Sequence, residues 1–347
     1  MQSLQRRWLD LWDRFSMTKG SRFVSSLGVL LGLYLVGALI MGIYWSWSPA
    51  AFDVRQAAAQ RAAGEQSEVV VGSYTSSTLI SMVETLLDKP GGYISNDRTA
   101  PGVWLDNISN WEFGVLVQAR DLSRAMRKTF SRSQSQSTEQ PDLALAEPRL
   151  HFDNDSWLLP STESEYRDAL SSLYSYHQKL SQASADNTQF YARADNLRDW
   201  LGDVSTRLGS LSQRLSASVG QKRVNTDLAG SSGADQSTAV DAEVEVQTPW
   251  REIDDVFYEA RGTAWALIHI MQAIELDFQQ SLERKNAVVS LRQIIRELES
   301  TQNTIWSPMI LNGTEFGLLA NHSLVMASYI SRANAAIIDL RELLSQG

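Results

Sequence analysis

The chain has 347 residues, of which 43% are hydrophobic, and 31 Lys and Arg stand against 40 Asp and Glu. The net charge of −9 argues against a nucleic-acid partner, because binding to phosphates normally gains from Lys and Arg. Cysteine is absent, which excludes disulfides, thiolate metal sites and cysteine nucleophiles, so the fold must be stable through its core alone.

The first predicted element is an uncharged apolar segment at residues 23–47, FVSSLGVLLGLYLVGALIMGIYWSW. About 20 apolar residues suffice for a helix to cross a bilayer. A cleaved signal peptide is the alternative, but its apolar region is about 7–15 residues and ends at a small-residue site. This segment is longer and ends in Tyr44, Trp45 and Trp47, aromatics typical of a membrane interface. We therefore assign residues 23–48 to an uncleaved transmembrane helix in contact with the lipid bilayer.

Charge predicts the orientation of this helix. Residues 1–22 contain five basic and two acidic residues, and such an excess of Lys and Arg is retained in the cytoplasm. The rest of the chain has 26 basic and 38 acidic residues and is expected on the exported side. A short basic tail, one span and a large cysteine-free domain favour a bacterial inner membrane with a periplasmic domain.

Gly28 and Gly32 lie four residues apart within the span, and Ala38 with Gly42 repeats this spacing. Small residues at this spacing let two helices approach closely, which predicts a transmembrane dimer face and a homo-oligomer. The alternative is that these glycines have no partner, since glycine is common in spans.

Beyond Pro49 the apolar spacing is helical, and three long segments carry stripes at steps of three and four residues. The stripes are Phe190, Ala194, Leu197, Leu201, Val204, Leu208, Leu211 and Leu215; Ile253, Phe257, Ala260, Ala264, Leu267, Met271, Ile274 and Phe278; and Leu319, His322, Met326, Tyr329, Ala333, Ala336, Leu340 and Leu343. Such stripes need neighbouring helices to cover them. We predict an all-α fold, with one N-terminal transmembrane helix followed by an extracytoplasmic antiparallel bundle.

Shorter helices are predicted around these. Residues 166–180 carry one apolar face and are expected to form a hairpin with the helix after Asp186, while residues 75–88 and 112–130 are two further candidates. Strand alternation is weak, and residues 68–71 are the best candidate.

The exported part divides at residues 221–248, which contain the run AGSSGA and are predicted to be a flexible linker. Residues 49–220 form the first helical part. Residues 249–347 form the second, which is expected to pack on the same bundle.

Five residues are candidates for contact with a partner. Trp104, Trp111 and Trp157 lie among turn formers, where aromatics usually fix a loop to the bundle but alternatively meet another protein. Ser133 and Gln134 belong to a polar run that either becomes ordered on binding or is a solvated loop.

No motif predicts catalysis, a cofactor or a metal. The four histidines have no i, i+4 pair, and His322, on an apolar stripe, is interpreted as a hydrogen-bonded core residue. Asp153 and Asp155 suggest calcium, but the EF-hand loop needs glycine and glutamate where Leu158 and Ser164 stand. A turn or helix-capping role is preferred for them.

Several runs are compositionally unusual: GGYISND at 91–97, WEFG at 111–114, SRSQSQS at 131–137, DDVFYEARG at 254–262 and ANHSL at 320–324. Together they resemble a family of Gram-negative inner-membrane proteins described only as a domain of unknown function. The resemblance extends from the span almost to the end of the chain. It implies an envelope location and supplies no reaction, cofactor or catalytic residue.

The leading hypothesis is a membrane-anchored periplasmic scaffold or adaptor that contacts unidentified envelope proteins. A periplasmic ligand-sensing bundle is the second hypothesis, although a single-span receptor normally carries a cytoplasmic output domain and only about twenty residues remain there. An envelope hydrolase is the third, and it requires a site assembled from distant segments.

Overall fold

The computed structural model describes residues 19–132, 138–182, 188–224, 243–307, 309–314 and 318–346. This part of the chain is mostly helical, so the predicted all-α class and the apolar N-terminal helix are confirmed. The α-helices are α1 (Lys19–Trp45), α2 (Val54–Gly64), α3 (Ser73–Asp88), α4 (Asp106–Ala125), α5 (Pro141–Leu150), α6 (Thr162–Ser181), α7 (Ala194–Ser216), α8 (Ile253–Asp277), α9 (Gln279–Arg284), α10 (Val288–Ser300) and α11 (His322–Ser345).

Helix α1 carries the apolar segment and lies largely outside the core. Its window Ser26–Trp45 has a mean hydropathy of 2.2, and only 11% of it is buried. Among the described helices it alone is long and apolar enough to cross a membrane. Most of its apolar side chains therefore make no contribution to the core of the helical domain.

Helix α8 is the centre of that domain. It contacts α2, α3, α4, α7, α10 and α11, and every residue from Gly262 to Met271 is buried. Its closest neighbour is α4, where a Cβ at Gly262 would lie 2.0 Å from the carbonyl oxygen of Trp111. Only glycine permits this backbone approach. At its other end, Asp277 accepts hydrogen bonds from the N–H groups of Gly72 (2.8 Å) and Thr75 (2.7 Å), and so caps α3.

Helix α6 does not form the predicted hairpin with α7. It packs on α3 and α5, whereas α7 packs along α11. The chain before α7 is held at the end of α4, because the N–H of Tyr191 donates to the Phe130 carbonyl oxygen at 2.6 Å. Phe190 contacts Phe130 and Phe278 there, with ring centroids 5.4 and 5.7 Å apart. This aromatic cluster directs α7 away from α6.

Two of the three predicted stripes are buried as expected. Along α7 and α8 the leucines and other apolar residues of each stripe face the core, although α7 begins only after Phe190. The third stripe is only partly right: Met326, Ala333 and Leu340 are buried as predicted, but Leu319 is exposed before α11 begins, and Ile330, Ile337 and Leu344 are buried in place of Tyr329, Ala336 and Leu343. The buried positions of α11 are Met326, Ala327, Ile330, Ala333, Ile337, Leu340 and Leu344. Ile337 buries more apolar area than its neighbour Ala336, which favours the observed face.

The β-structure lies elsewhere than predicted. Residues 68–71 form no strand, because Val69 and Val71 are exposed and the segment turns into α3. The ends of the predicted linker instead pair as antiparallel strands β1 (Gln221–Val224) and β2 (Glu243–Val246). The AGSSGA run between them lies outside the described residues.

Candidate functional site

The junction between α1 and the helical domain is the first candidate site. Trp45 packs so closely on Gly91 that a Cβ there would lie 2.7 Å from Trp45 Cδ2. The chain then reaches Phe52, whose backbone N–H donates to His269 Nε2 at 3.0 Å and whose ring stacks on the imidazole at 4.0 Å. Trp265 contacts both rings. The segment after α1 is therefore fixed to α8 by a hydrogen bond and aromatic contacts.

His269 is neutral in this arrangement. Its Nε2 accepts from Phe52, so its proton is on Nδ1, which donates to the Trp265 carbonyl oxygen at 2.7 Å. Burial lowers the pKa of His269 to about 4. The hydrogen bond from Phe52 is consequently present at neutral pH and is lost when the ring becomes protonated.

The carboxylate of Glu112 holds the loop that Trp45 contacts. Glu112 is fully buried and accepts from the N–H groups of Ile94 (2.9 Å) and Ser95 (2.8 Å). It also pairs with the buried ammonium of Lys89, which donates to the Gly92 carbonyl oxygen. Burial raises the pKa of Glu112, and Lys89 opposes this shift. The GGYISND run, residues 91–97, is thus held in place by the buried carboxylate of Glu112 on α4.

A second loop, residues 153–160, is attached to the same run. Tyr93 donates its hydroxyl hydrogen to the Asn154 carbonyl oxygen at 3.0 Å. The side-chain amide of Asn96 donates to the Ser156 carbonyl oxygen at 2.9 Å. These contacts use backbone carbonyls as acceptors, so the segment that suggested calcium serves as a docked loop.

The predicted partner contacts separate into three groups. Trp104 and Trp157 are exposed in their loops. Trp111 is buried in α4 and contacts Trp265, with ring centroids 5.2 Å apart, so it faces the core and not a partner. Ser133 and Gln134 lie outside the described residues.

Gly28 and Gly32 both lie on α1. A Cβ added at either glycine meets nothing within 4 Å, and the surrounding apolar side chains are exposed. The helix surface there is open, and the transmembrane dimer face stays a prediction.

The second candidate site is an opening of about 370 Å³ between α8, α10 and α11. Arg261 forms part of its wall and donates to the carbonyl oxygens of Gln302 (2.9 Å) and Asn303 (3.0 Å), which fixes the end of α10. Phe257, Ile305, Met326 and Tyr329 supply apolar surface. We call this opening the α8–α11 groove.

His322 lines the α8–α11 groove and is only half-buried, so its prediction as a core residue is wrong. It begins α11 and points to the loop before the helix, where its Nδ1 accepts from the Leu311 N–H at 3.1 Å. The neutral ring must then carry its proton on Nε2. That nitrogen is then a hydrogen-bond donor on a residue that lines the groove.

Ser76, His177 and Glu65 form a polar network that the sequence did not reveal, because its members lie far apart in the chain. His177 Nδ1 is 2.8 Å from Ser76 Oγ, and its Nε2 is 4.0 Å from Glu65 Oε2. The residue types match a catalytic triad, but Ser76 is 1% exposed and its hydroxyl donates to the Gly72 carbonyl oxygen at 2.7 Å. Burial lowers the pKa of His177 to about 4 and keeps it neutral. We therefore assign this network to the core.

Several carboxylates lie close together at the start of α8. In the described ranges, no three His, Asp or Glu side chains are placed to hold an ion. Burial, together with the nearby charges of Asp106 and Asp254, raises the pKa of Asp255 to about 6. Asn110 donates its amide to Asp255 at 2.7 Å, which ties α4 to α8.

Comparisons with known proteins give one positive result. No curated protein and no solved structure matches this chain significantly. A family model does match, and it covers residues 17–347, nearly all of the helical chain described above. The chain belongs to the family described as an uncharacterized protein conserved in bacteria, DUF2333.

Proposed function

We propose that the protein is a membrane-anchored scaffold of the bacterial cell envelope that binds other envelope proteins through its helical domain. Residues 23–48 span the inner membrane, residues 1–22 lie in the cytoplasm, and the helical domain lies in the periplasm. The exposed apolar surface of α1, the positive charge before it and membership of a bacterial family support this topology.

The observation that carries the scaffold proposal is the exposed apolar rim of the α8–α11 groove. Trp306 and Val325 both line the groove, and they are 92% and 55% exposed. Tryptophan is enriched at the energetic centres of protein interfaces, because it buries a large apolar area. The groove walls add Phe257 and other apolar surface, which fits an apolar side chain of a partner.

The proposed partner is an apolar segment of another envelope protein. One of its side chains enters the groove, and a backbone carbonyl accepts from His322 Nε2. Both features follow from the groove, which offers apolar walls together with a donor.

Photocrosslinking in living cells tests this proposal. A photoreactive amino acid at Trp306 or Val325 should give discrete adducts with one or a few proteins, and Trp306→Ala should weaken function at unchanged abundance. Val289, which is apolar and exposed on α10 outside the groove lining, is the matched control position. Adducts that are absent at Trp306, or equal at Val289, would overturn the scaffold proposal.

The topology has a separate test, which the absence of native cysteine makes simple. Ser210→Cys on α7 should react with a membrane-impermeant maleimide added to spheroplasts, because Ser210 is exposed. Ser3→Cys should react only after lysis. The reverse pattern would place the helical domain in the cytoplasm.

A further inference from the structure

We infer that two loops of the helical domain, residues 99–105 and 153–160, insert their apolar tips, Val103 with Trp104 and Trp157 with Leu158 and Leu159, into the outer leaflet of the membrane beside α1. This inference rests on the proposed membrane span. It adds a second contact with the bilayer, made by apolar side chains that no segment covers among the described residues.

The first loop lies directly against the span. The hydroxyl of Tyr34 donates to the Ala100 carbonyl oxygen at 2.9 Å, and a Cβ at Gly42 would lie 3.3 Å from Pro101 Cβ. Tyr34 precedes Trp45 by 11 residues, which is about 16 Å along a helix. The hydrocarbon core is about 30 Å thick, so the first loop reaches its outer half when Trp45 is at the interface.

Three of the six backbone N–H groups of the first loop have a partner within the loop, which lowers the cost of moving this part of the loop into an apolar environment. In lipid every backbone N–H needs a partner within the protein. Val103, Trp104 and Leu105 donate their N–H groups to carbonyls of the same loop at 2.9 to 3.1 Å, and Pro101 has no N–H. The exposed side chains are then Val103 and Trp104, one apolar residue and one aromatic typical of the interface.

The second loop extends the same surface. It is joined to the first through Asn96 and through Arg98, which donates to the Asp155 carbonyl oxygen at 2.9 Å. Its tip is Trp157, Leu158 and Leu159, all exposed, and Leu159 is 94% exposed. The hydroxyl of Ser156 donates to the carbonyl oxygens of Leu158 (3.1 Å) and Pro160 (2.9 Å), which gives two of the acceptors at the tip a partner.

The bilayer is the occupant that the geometry favours. The first loop exposes large apolar side chains next to α1, and the second loop is joined to it, so the surface continues the span, and a protein there would have to displace the lipids around α1. Arg98 and Asp155 form an exposed ion pair at 3.9 Å where the two loops join, outside the apolar tips. The domain is acidic overall and is not attracted to anionic headgroups, so insertion should not depend on anionic lipid.

Depth-dependent quenching in proteoliposomes tests this inference on the full chain. Single-cysteine variants Val103→Cys and Leu158→Cys carry a polarity-sensitive fluorophore, and the vesicles contain phosphatidylcholine brominated on its acyl chains. Ile40→Cys in the span is the positive control. Val289→Cys on α10 is the negative control. Helix α10 follows the end of α8, and Asp277 at that end caps the start of α3. The first loop follows the opposite end of α3.

Labels at Val103 and Leu158 should be quenched at least about fivefold more than at Val289, since the bromines lie within the hydrocarbon core. Replacing a third of the lipid by phosphatidylglycerol should leave this ratio unchanged. Quenching at Ile40 without quenching at Val103 and Leu158 would overturn the inference, leave the span intact and assign the loops to a protein partner. Loss of quenching at Ile40 itself would refute the span.

Discussion

Replacing Gly262 by alanine tests the closest helix contact in the core. The new Cβ would lie 2.0 Å from the Trp111 carbonyl oxygen and 2.8 Å from its carbonyl carbon, both backbone atoms that cannot rotate away. Non-bonded heavy atoms are ordinarily about 3.5 Å apart, so α4 and α8 must move apart by about 1 Å or more where they cross. Overpacking of this kind costs about 1–3 kcal/mol. Alanine returns about 0.5–1 kcal/mol through its better helix propensity, so the net effect is destabilising.

Gly209→Ala on α7 is the matched control. Its Cβ would meet only Asn334 Nδ2 at 3.6 Å, an ordinary contact, so only the gain in helix propensity of about 0.5–1 kcal/mol applies. Thermal unfolding of the full-length protein in detergent, followed by circular dichroism, should show opposite changes. One kcal/mol shifts Tm by about 2–4 °C in large domains, so Gly262→Ala should lower Tm by several degrees and Gly209→Ala should raise it slightly. A Gly262→Ala variant as stable as the native chain would refute the close crossing.

Two further predictions concern the junction. Glu112→Gln should lower stability by about 3–5 kcal/mol in chemical denaturation, because it leaves the Lys89 ammonium buried without its counter-charge; adding Lys89→Met should recover part of this loss, and no recovery would contradict the role of the ion pair. His269 has a folded pKa of about 4 against an unfolded value of about 6.5, so its contribution to stability is full above pH 6.5 and is lost as the pH falls toward 4. The stability gap between native protein and His269→Gln should narrow by about 3 kcal/mol over this range, and a gap independent of pH would disprove the buried neutral ring.

The sequence pattern predicted correctly those elements whose burial depends only on the spacing of apolar residues. The stripes of α7 and α8 are buried because apolar residues recur on one face, and the apolar length of α1 identifies it without any tertiary information. Which helices become neighbours is a different matter. The α6–α7 hairpin was expected from proximity in the chain, but the Phe130, Phe190 and Phe278 cluster holds the connection at another place.

The candidate sites depended even more on tertiary structure. Trp104 and Trp111 look alike in the sequence, yet one is exposed beside α1 and the other is in the core. Two of the hydrogen-bond donors to the Glu112 carboxylate are backbone N–H groups, which carry no sequence signature. His322 was misplaced because its stripe position suggested the core, whereas its ring is directed to the loop before α11.

The rigid junction connects the two proposals. Between Trp45 and α2 the chain has only a short segment, and Phe52 within it is fixed to His269 and Trp265 on α8. The first loop contacts α1 itself, at Tyr34 and Gly42, through Ala100 and Pro101. A helix held at two separated places cannot swing freely relative to the domain, so membrane insertion sets the orientation of α8. Because α8 also forms one wall of the α8–α11 groove, the groove is presented at a fixed height and angle to the membrane. A scaffold that must recruit a partner lying at the same membrane would gain affinity from this, since less orientational freedom is lost on binding.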